Sequence, residues 1–171
     1  IFVPQDTTGI TSYFTMAVNR GLTIQFSFQY TDKNRQKLAK YKTGDELLKY
    51  LKTQNILEKF AQYAESKGLK RRNLLMYTSK ELFYRNLYGN IIYNMLNMEE
   101  YLKFLNQSDP TVQKALEVLR SGGIILYPTD TVWGIGCDAT DPEAVAKVYA
   151  IKKREDSKSL VLLASDMDMI C

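Results

Sequence analysis

The chain has 171 residues, 45% hydrophobic and 25% charged, which is typical of a folded globular protein. It has two cysteines and no histidine, which excludes His-based triads and disfavours a zinc site. Its net charge of +4 is uneven: residues 1–110 carry 16 Lys and Arg against 10 Asp and Glu, and residues 111–171 carry 7 against 9. The basic first part is compatible with RNA or anionic surfaces, or with ordinary solvated helix faces.

The first elements read as strands. Residues 1–3 are apolar, and in residues 22–30 every second residue from Ile24 is apolar or aromatic. A period of two is typical of a half-buried strand, so both segments are predicted to be strands.

From residue 32 the spacing becomes helical. Residues 46–66 place apolar side chains on one stripe, with Gly68 as the stop, and predict one long helix. Thr78, with Glu81 three residues later, predicts the start of a second helix through a capping box. Asn97 repeats the signal for a third.

The last third alternates helix and strand. Asp109 before a proline predicts a helix start, and the strand 124–127 follows a Gly-Gly stop. Asp141 before another proline opens the next helix, and residues 159–164 are predicted to be the next strand. We therefore divide the chain into residues 1–110 and residues 111–171.

The most informative stretch is residues 124–138, IILYPTDTVWGIGCD, in which an apolar run ends in Pro-Thr-Asp-Thr. The hydroxyls of Thr129 and Thr131 suit the ammonium and carboxylate of an amino acid, or they simply satisfy a turn. Lys152 and Arg154 suit phosphate oxygens, although cations also favour helix carboxyl ends through the helix dipole.

Residues 121–163, SGGIILYPTDTVWGIGCDATDPEAVAKVYAIKKREDSKSLVLL, resemble the amino-terminal part of the YrdC-type threonylcarbamoyl-AMP synthases. The resemblance implies nucleotidyl transfer from ATP, with threonine and bicarbonate as the other substrates and Mg²⁺ on the phosphates. It also implies a cytoplasmic enzyme of tRNA modification, with tRNA or double-stranded RNA as a partner and no membrane partner.

The same resemblance assigns residue roles. Thr129 and Thr131 would bind threonine, and Lys152, Arg154 and Lys158 would bind ATP. Lys152 and Arg154 would also stabilise charge during transfer as the catalytic pair. The resemblance assigns no protein metal ligand.

Two departures from that family are expected to matter. Leu162 and Leu163 stand where many relatives have a histidine that contacts threonine, and the Ser-x-Asn-like half of the nucleotide site would lie beyond Cys171. We therefore expect a fragment that binds threonine or ATP weakly and does not turn over, since a half-built site positions its ligands with only part of the contacts.

The first part resembles a different family. The stretches FVPQDTTGITSYFTMAVNRGLTIQFSFQYTDKNR and LYGNIIYN look like the region after the catalytic core of serine–lysine carboxy-terminal processing peptidases. No serine–lysine dyad can be matched, so the resemblance implies a non-catalytic tail. The alternative function is therefore a non-catalytic interaction module, and a hybrid reading frame joined near residues 111–122 is our explanation for the pairing.

The expected fold class is α/β (YrdC-like, truncated), preceded by an α+β, mainly helical segment. Most of the twelve tyrosines lie in the first part, spaced as helix-packing residues or as a stacking surface for nucleic acid. Trp133 is expected either beside the substrate pocket or in the core. Cys137 and Cys171 could form a disulfide between a loop and the last residue, but two free thiols are expected.

Overall fold

A computed structural model describes residues 8–153, 159–165 and 167–169. The chain forms two compact units, Ile1–Asp109 (the helical unit) and Pro110–Cys171 (the C-terminal unit). The helices of the helical unit are α1 Ser12–Asn19, α2 Leu22–Leu38, α3 Gly44–Lys52, α4 Ile56–Ser66, α5 Asn73–Thr78, α6 Lys80–Met95 and α7 Met98–Gln107. Those of the C-terminal unit are α8 Pro110–Arg120 and α9 Pro142–Lys152, with strands β1 Ile125–Pro128 and β2 Trp133–Gly136 and a 3-10 turn Met167–Met169.

The predicted strand over residues 22–30 is wrong, because this segment belongs to α2. A strand would have put Ile24, Phe26, Phe28 and Tyr30 on one face. In the helix, Phe26 and Tyr30 are buried, whereas Ile24 and Phe28 are more than half exposed. The segment satisfies both a period of two and an i, i+4 spacing, and packing of α2 against α4 and α6 selects the helix. The predicted strand over residues 1–3 lies outside the described residues.

The long helix predicted over residues 46–66 is two helices, α3 and α4. The break falls at Thr53–Asn55, where Asn55 adopts a left-handed conformation with φ of 48°. Asparagine tolerates this conformation better than most residues, which explains the break. The predicted stop at Gly68 is confirmed, since α4 ends two residues earlier and Gly68 has φ of 79°.

The capping box predicted at Thr78 is also wrong. Thr78 ends α5, and its hydroxyl donates to the carbonyl of Leu74 at 2.9 Å. The buried Ser79 hydroxyl lies 2.7 Å from the Thr11 hydroxyl, which ties the start of α6 to the start of α1. The predicted cap at Asn97 is confirmed, because its side-chain oxygen accepts from the Glu100 amide at 2.9 Å.

The core of the helical unit is rich in aromatic side chains. Phe60 is fully buried, with its ring 5.6 Å from Phe26 and 5.2 Å from Phe83. Burial raises the pKa of Tyr30 and of Tyr88 to about 12, so both remain neutral phenols. These tyrosines are packing residues, one of the two roles expected of them from the sequence.

The C-terminal unit contains a β-hairpin between two helices. As predicted, α8 begins at Pro110, and α9 begins after Asp141, whose carboxylate accepts from the Glu143 and Ala144 amides. Strands β1 and β2 pair antiparallel, with Tyr127 opposite Gly134. The sequence did not predict β2.

The strand predicted over residues 159–164 is wrong: this segment has no regular structure, and Val161 and Leu163 are more than 80% exposed. The part of the chain that the structure describes is therefore mostly helical with one two-stranded sheet, and the full α/β fold is not confirmed. The mainly helical character of the first part is confirmed, but its α+β class is not, since residues 8–109 contain no strand. No described helix has the length and apolar character needed to cross a membrane.

Candidate substrate-binding site

The loop between β1 and β2 presents the hydroxyl residues singled out in the sequence. The Thr129 hydroxyl accepts from the Val132 amide at 3.0 Å and from the Thr131 amide at 3.4 Å, and it donates to the Val132 carbonyl. The Thr129 amide closes the same turn by donating to that carbonyl at 3.0 Å. Thr129 thus fixes the conformation of the loop and has a structural role here.

Thr131 lies at the exposed tip of this loop. Among the described residues its hydroxyl has no hydrogen-bond partner, in contrast to that of Thr129. Trp133 follows at the start of β2 with 66% of its surface exposed, so its placement in the core is wrong. The loop therefore offers a free hydroxyl next to an exposed indole ring, a combination that can contact a small polar ligand.

The Gly-x-Gly of β2 accommodates a tyrosine. A Cβ added at Gly134 would lie 2.5 Å from Cζ of Tyr127, and one added at Gly136 would lie 3.2 Å from Cε1 of the same ring. The ring of Tyr127 therefore lies directly over both glycines. Tyr127 was not singled out from the sequence, although a tyrosine opposite a glycine in a hairpin is a cross-strand signal.

The start of α9 is fixed against the turn that precedes β1. Gly122 has φ of 70°, and a Cβ there would lie 2.8 Å from Oδ2 of Asp141. Lys147 donates from its ammonium to the Gly122 carbonyl at 3.0 Å. The buried Ala144 and Val148 complete the inner face of α9. These contacts fix the helix that carries the predicted phosphate-binding cation.

Lys152 occupies the last turn of α9 and is exposed, and it forms no ion pair with any described residue. Lys153 follows in a left-handed conformation with φ of 48°. Arg154 and Lys158, the other predicted ATP ligands, lie outside the described residues. No hydrogen bond within the described ranges links Lys152 to the β1–β2 loop, so these two parts of the predicted site are placed separately.

The segment between β2 and α9 holds an acidic turn. Asp138 accepts from the Thr140 hydroxyl at 2.7 Å and amide at 2.9 Å, and these bonds lower the pKa of its carboxyl. Cys137 is a free thiol whose pKa is raised by burial first and then by Asp138 and Asp141. A thiol with a raised pKa is mostly protonated at neutral pH and is a weak nucleophile.

Family comparisons match the two units to different families. The family described as telomere recombination, which comprises Sua5, YciO and YrdC proteins, matches residues 117–171. A family of unknown function (DUF8443) matches residues 13–97. The C-terminal unit is therefore Sua5/YrdC-like, as the sequence motifs indicated. Neither match supports the resemblance of the first part to processing peptidases.

Curated relatives of the C-terminal unit carry the name threonylcarbamoyl-AMP synthase. The protein of that name from Chromohalobacter salexigens is 39% identical over 66 residues, which are 39% of this chain and 36% of the relative. That from Stutzerimonas stutzeri is 45% identical over 60 residues, 35% of this chain and 32% of the relative. The chain thus spans about a third of the length of these relatives. No solved structure matches the chain.

Proposed function

We propose that the C-terminal unit contributes a threonine-binding loop and an ATP-binding cation to a threonylcarbamoyl-AMP synthase site. The observation that carries this proposal is the loop itself: Thr129 holds the turn, and the Thr131 hydroxyl is left free, within a segment similar to enzymes of that name. The chain spans about a third of the length of those relatives, so the complete threonylcarbamoyl-AMP synthase reaction is proposed for this chain and not shown by the similarity.

The proposed chemistry joins three substrates. The amine of threonine and bicarbonate condense to a carbamate with loss of water. A carbamate oxygen then attacks the α-phosphorus of ATP, and the bond to pyrophosphate breaks. Negative charge increases on the phosphate oxygens during this step, and an exposed cation such as Lys152 would stabilise it. Thr131 would orient threonine by hydrogen bonding to its polar groups.

Magnesium is expected to arrive with the nucleotide. Among the described residues, no group of three or more Cys, Asp or Glu side chains is placed to hold a metal ion. Mg²⁺ is usually bound through one or two carboxylates together with substrate phosphates, so the phosphates of ATP would be its main ligands. Roles for Arg154 and Lys158, use of the product in tRNA modification and a cytoplasmic location remain predictions.

Threonine binding can be tested with the protein's own fluorescence. Trp133 is the single tryptophan of the chain and lies two residues from Thr131. Titration with threonine is expected to change its emission saturably, with the effect lost in Thr131→Ala and retained in Thr131→Ser, which keeps the hydroxyl. No saturable change, together with no heat of binding in calorimetry on folded protein, would overturn the threonine assignment.

The role of Lys152 as a phosphate-binding cation is tested by measuring ATP binding and pyrophosphate release. Lys152→Ala is expected to abolish saturable binding of ATP with Mg²⁺, whereas Lys114→Ala, which removes a lysine of α8 paired with Glu117, should leave it unchanged. Threonine-dependent pyrophosphate release that is lost in Lys152→Ala would establish turnover. Equal ATP binding by both variants would contradict the role of Lys152 and favour the non-catalytic interaction module.

A further inference from the structure

A groove between α2 and α4 of the helical unit has the composition of a ligand site. It has a volume of about 450 Å³. Aromatic side chains of both helices form its wall: Phe26 and Tyr30 from α2, and Tyr63 from α4, whose ring centroid lies 5.6 Å from that of Phe26. Tyr63 is only partly buried, so part of its ring remains accessible from the groove. These side chains give the groove a largely aromatic wall.

Lysines surround this aromatic wall. Lys33 and Lys59 line the groove, and the Lys59 ammonium lies 5.6 Å from the centre of the Tyr30 ring. Lys67, the C-cap residue of α4, follows Tyr63 by one turn and places its ammonium 5.7 Å from the centre of the Tyr63 ring. None of these three lysines forms an ion pair with a described residue. Their charges therefore remain available to an anionic ligand.

The carboxylates next to Lys33 and Lys59 in the sequence are paired with arginines. Asp32 of α2 is bound by Arg35 at 2.7 Å, and Glu58 of α4 accepts two hydrogen bonds from Arg71 at 2.6 and 2.7 Å. Glu65 lies two residues after Tyr63, which places it nearly on the opposite side of the helix. None of the described residues that line the groove is acidic. The charged side chains among the described residues that line the groove are therefore both lysines, which favours an anionic ligand.

We propose that the α2–α4 groove binds single-stranded RNA, with a base against Tyr63 and the adjacent phosphates at Lys33 and Lys59. Lysines beside accessible aromatic rings are the combination with which proteins bind single strands, because rings stack with bases and lysines neutralise phosphates. The side-chain amide of Gln29, which also lines the groove, supplies hydrogen-bonding groups for a base edge, whereas that of Asn34 already donates to the Tyr30 carbonyl at 2.8 Å. This inference concerns a different unit from the proposed synthase site and is independent of it.

Two other polyanions are less suited to these features. A vesicle surface is flat, and its phospholipid headgroups carry no aromatic ring that could stack on Tyr63 inside a groove. An acidic peptide would use the lysines but gains little from a tyrosine wall. Both are included as alternatives in the test, since each predicts lysine dependence without dependence on the Tyr63 ring.

The test measures anisotropy of a labelled single-stranded RNA of about 12 nucleotides with the full chain, between about 50 and 200 mM salt. The variant Lys33→Gln with Lys59→Gln removes two charges from the groove. It is expected to reduce the slope of log affinity against log salt by about 1.4, which corresponds to two phosphate contacts on a single strand. The matched control, Lys49→Gln with Lys80→Gln, removes the same charge from α3 and α6 and should leave the slope unchanged.

A third variant tests the aromatic contact. Tyr63→Leu keeps an apolar side chain against Phe26 but removes the ring, and it should weaken RNA binding by about fivefold or more. Circular dichroism on every variant confirms the helical fold. The proposal is overturned if the wild-type chain does not bind RNA at the lowest salt, or if the groove and control pairs lose binding equally. Binding of poly-glutamate or anionic vesicles as tight as that of RNA, and insensitive to Tyr63→Leu, would also overturn it.

Discussion

The two units of this chain differ in how they are stabilised and in what is recognisable about them. Among residues 8–109 of the helical unit, twenty apolar residues form one buried cluster. In the described part of the C-terminal unit, only Ala144 and Val148 are buried apolar residues. Yet the named relatives described above are similar to the C-terminal unit, whose motif consists of loop hydroxyls, glycines and a helix-end cation. A recognisable site and a large core are thus separate properties of a sequence.

The difference in core size between the two units is tested most strongly by a substitution in the aromatic core of the helical unit. Phe60→Ala removes a fully buried ring and should destabilise the helical unit by about 3–5 kcal/mol. Urea unfolding followed by far-UV circular dichroism should show this loss. Fluorescence of Trp133, which lies in the C-terminal unit, should keep its midpoint if the two units unfold independently. Val148→Ala is the reciprocal control and should shift the Trp133 transition alone. If Phe60→Ala moved both transitions equally, the two units would unfold as one.

An intermediate effect is expected in the hairpin. Gly134→Ala places a methyl group against the Tyr127 ring, which must move, and overpacking of this kind costs about 1–3 kcal/mol. The midpoint of the Trp133 transition should fall, and by more than in Gly136→Ala, where the approach to the ring is looser. In a Tyr127→Ala background the penalty at Gly134 should disappear, since the clashing ring is absent. A penalty that persists there would contradict the contact.

The smallest effect concerns pH. The Gly44 amide donates a hydrogen bond to the Glu100 carboxylate at 2.5 Å, and Lys103 binds the same carboxylate. The bond from Gly44 first, and Lys103 second, lower the pKa of Glu100 below its usual value of 4.5. The carboxylate therefore stabilises the helical unit fully above about pH 4.5, and this stabilisation is lost as the pH falls through the lowered pKa. Glu100→Gln should cost about 1 kcal/mol at neutral pH, the scale of an anion at a helix N-terminus, and should flatten the acid limb of the stability curve.

Glu99 provides the control for that prediction. It pairs with the same lysine at 2.7 Å but is 73% exposed, and no backbone amide in the described part of the chain donates to it, so Glu99→Gln should leave the acid limb nearly unchanged. Stability curves measured for the two variants between pH 3 and 7 would separate them. Identical curves would mean that the bond to Gly44 contributes nothing to the acid limb.

The features that the sequence predicted correctly are those encoded within one turn of chain. Caps at Asn97 and Asp141 and the stop at Gly68 depend on a side chain or backbone angle at one position, and each is confirmed. The break at Asn55 was missed because the apolar stripe continues across it. The identity of α2 was missed for another reason: its apolar spacing fits two periods, and only tertiary contacts with α4 and α6 decide between them.

At the candidate site the motif was predicted from the sequence, but the different roles of its two threonines were not. Thr129 and Thr131 are chemically identical, and only the three-dimensional turn shows that the first hydroxyl bonds the loop itself while the second is free. The position of the Tyr127 ring over the two glycines likewise depends on the antiparallel register of β1 and β2. The sequence did not predict β2, so it could not predict this register.

The Thr129 turn has a consequence for the energetics of any ligand at the loop. Because the hydroxyl and amide of Thr129 bond to Val132 within the loop itself, the loop is preorganised, and its conformational entropy is lost on folding rather than on association. Thr129→Val keeps the shape of the side chain and the amide bond to the Val132 carbonyl but removes the hydroxyl bonds, so the loop would be held less firmly. A ligand of Thr131 would then bind more weakly although none of its own contacts had changed.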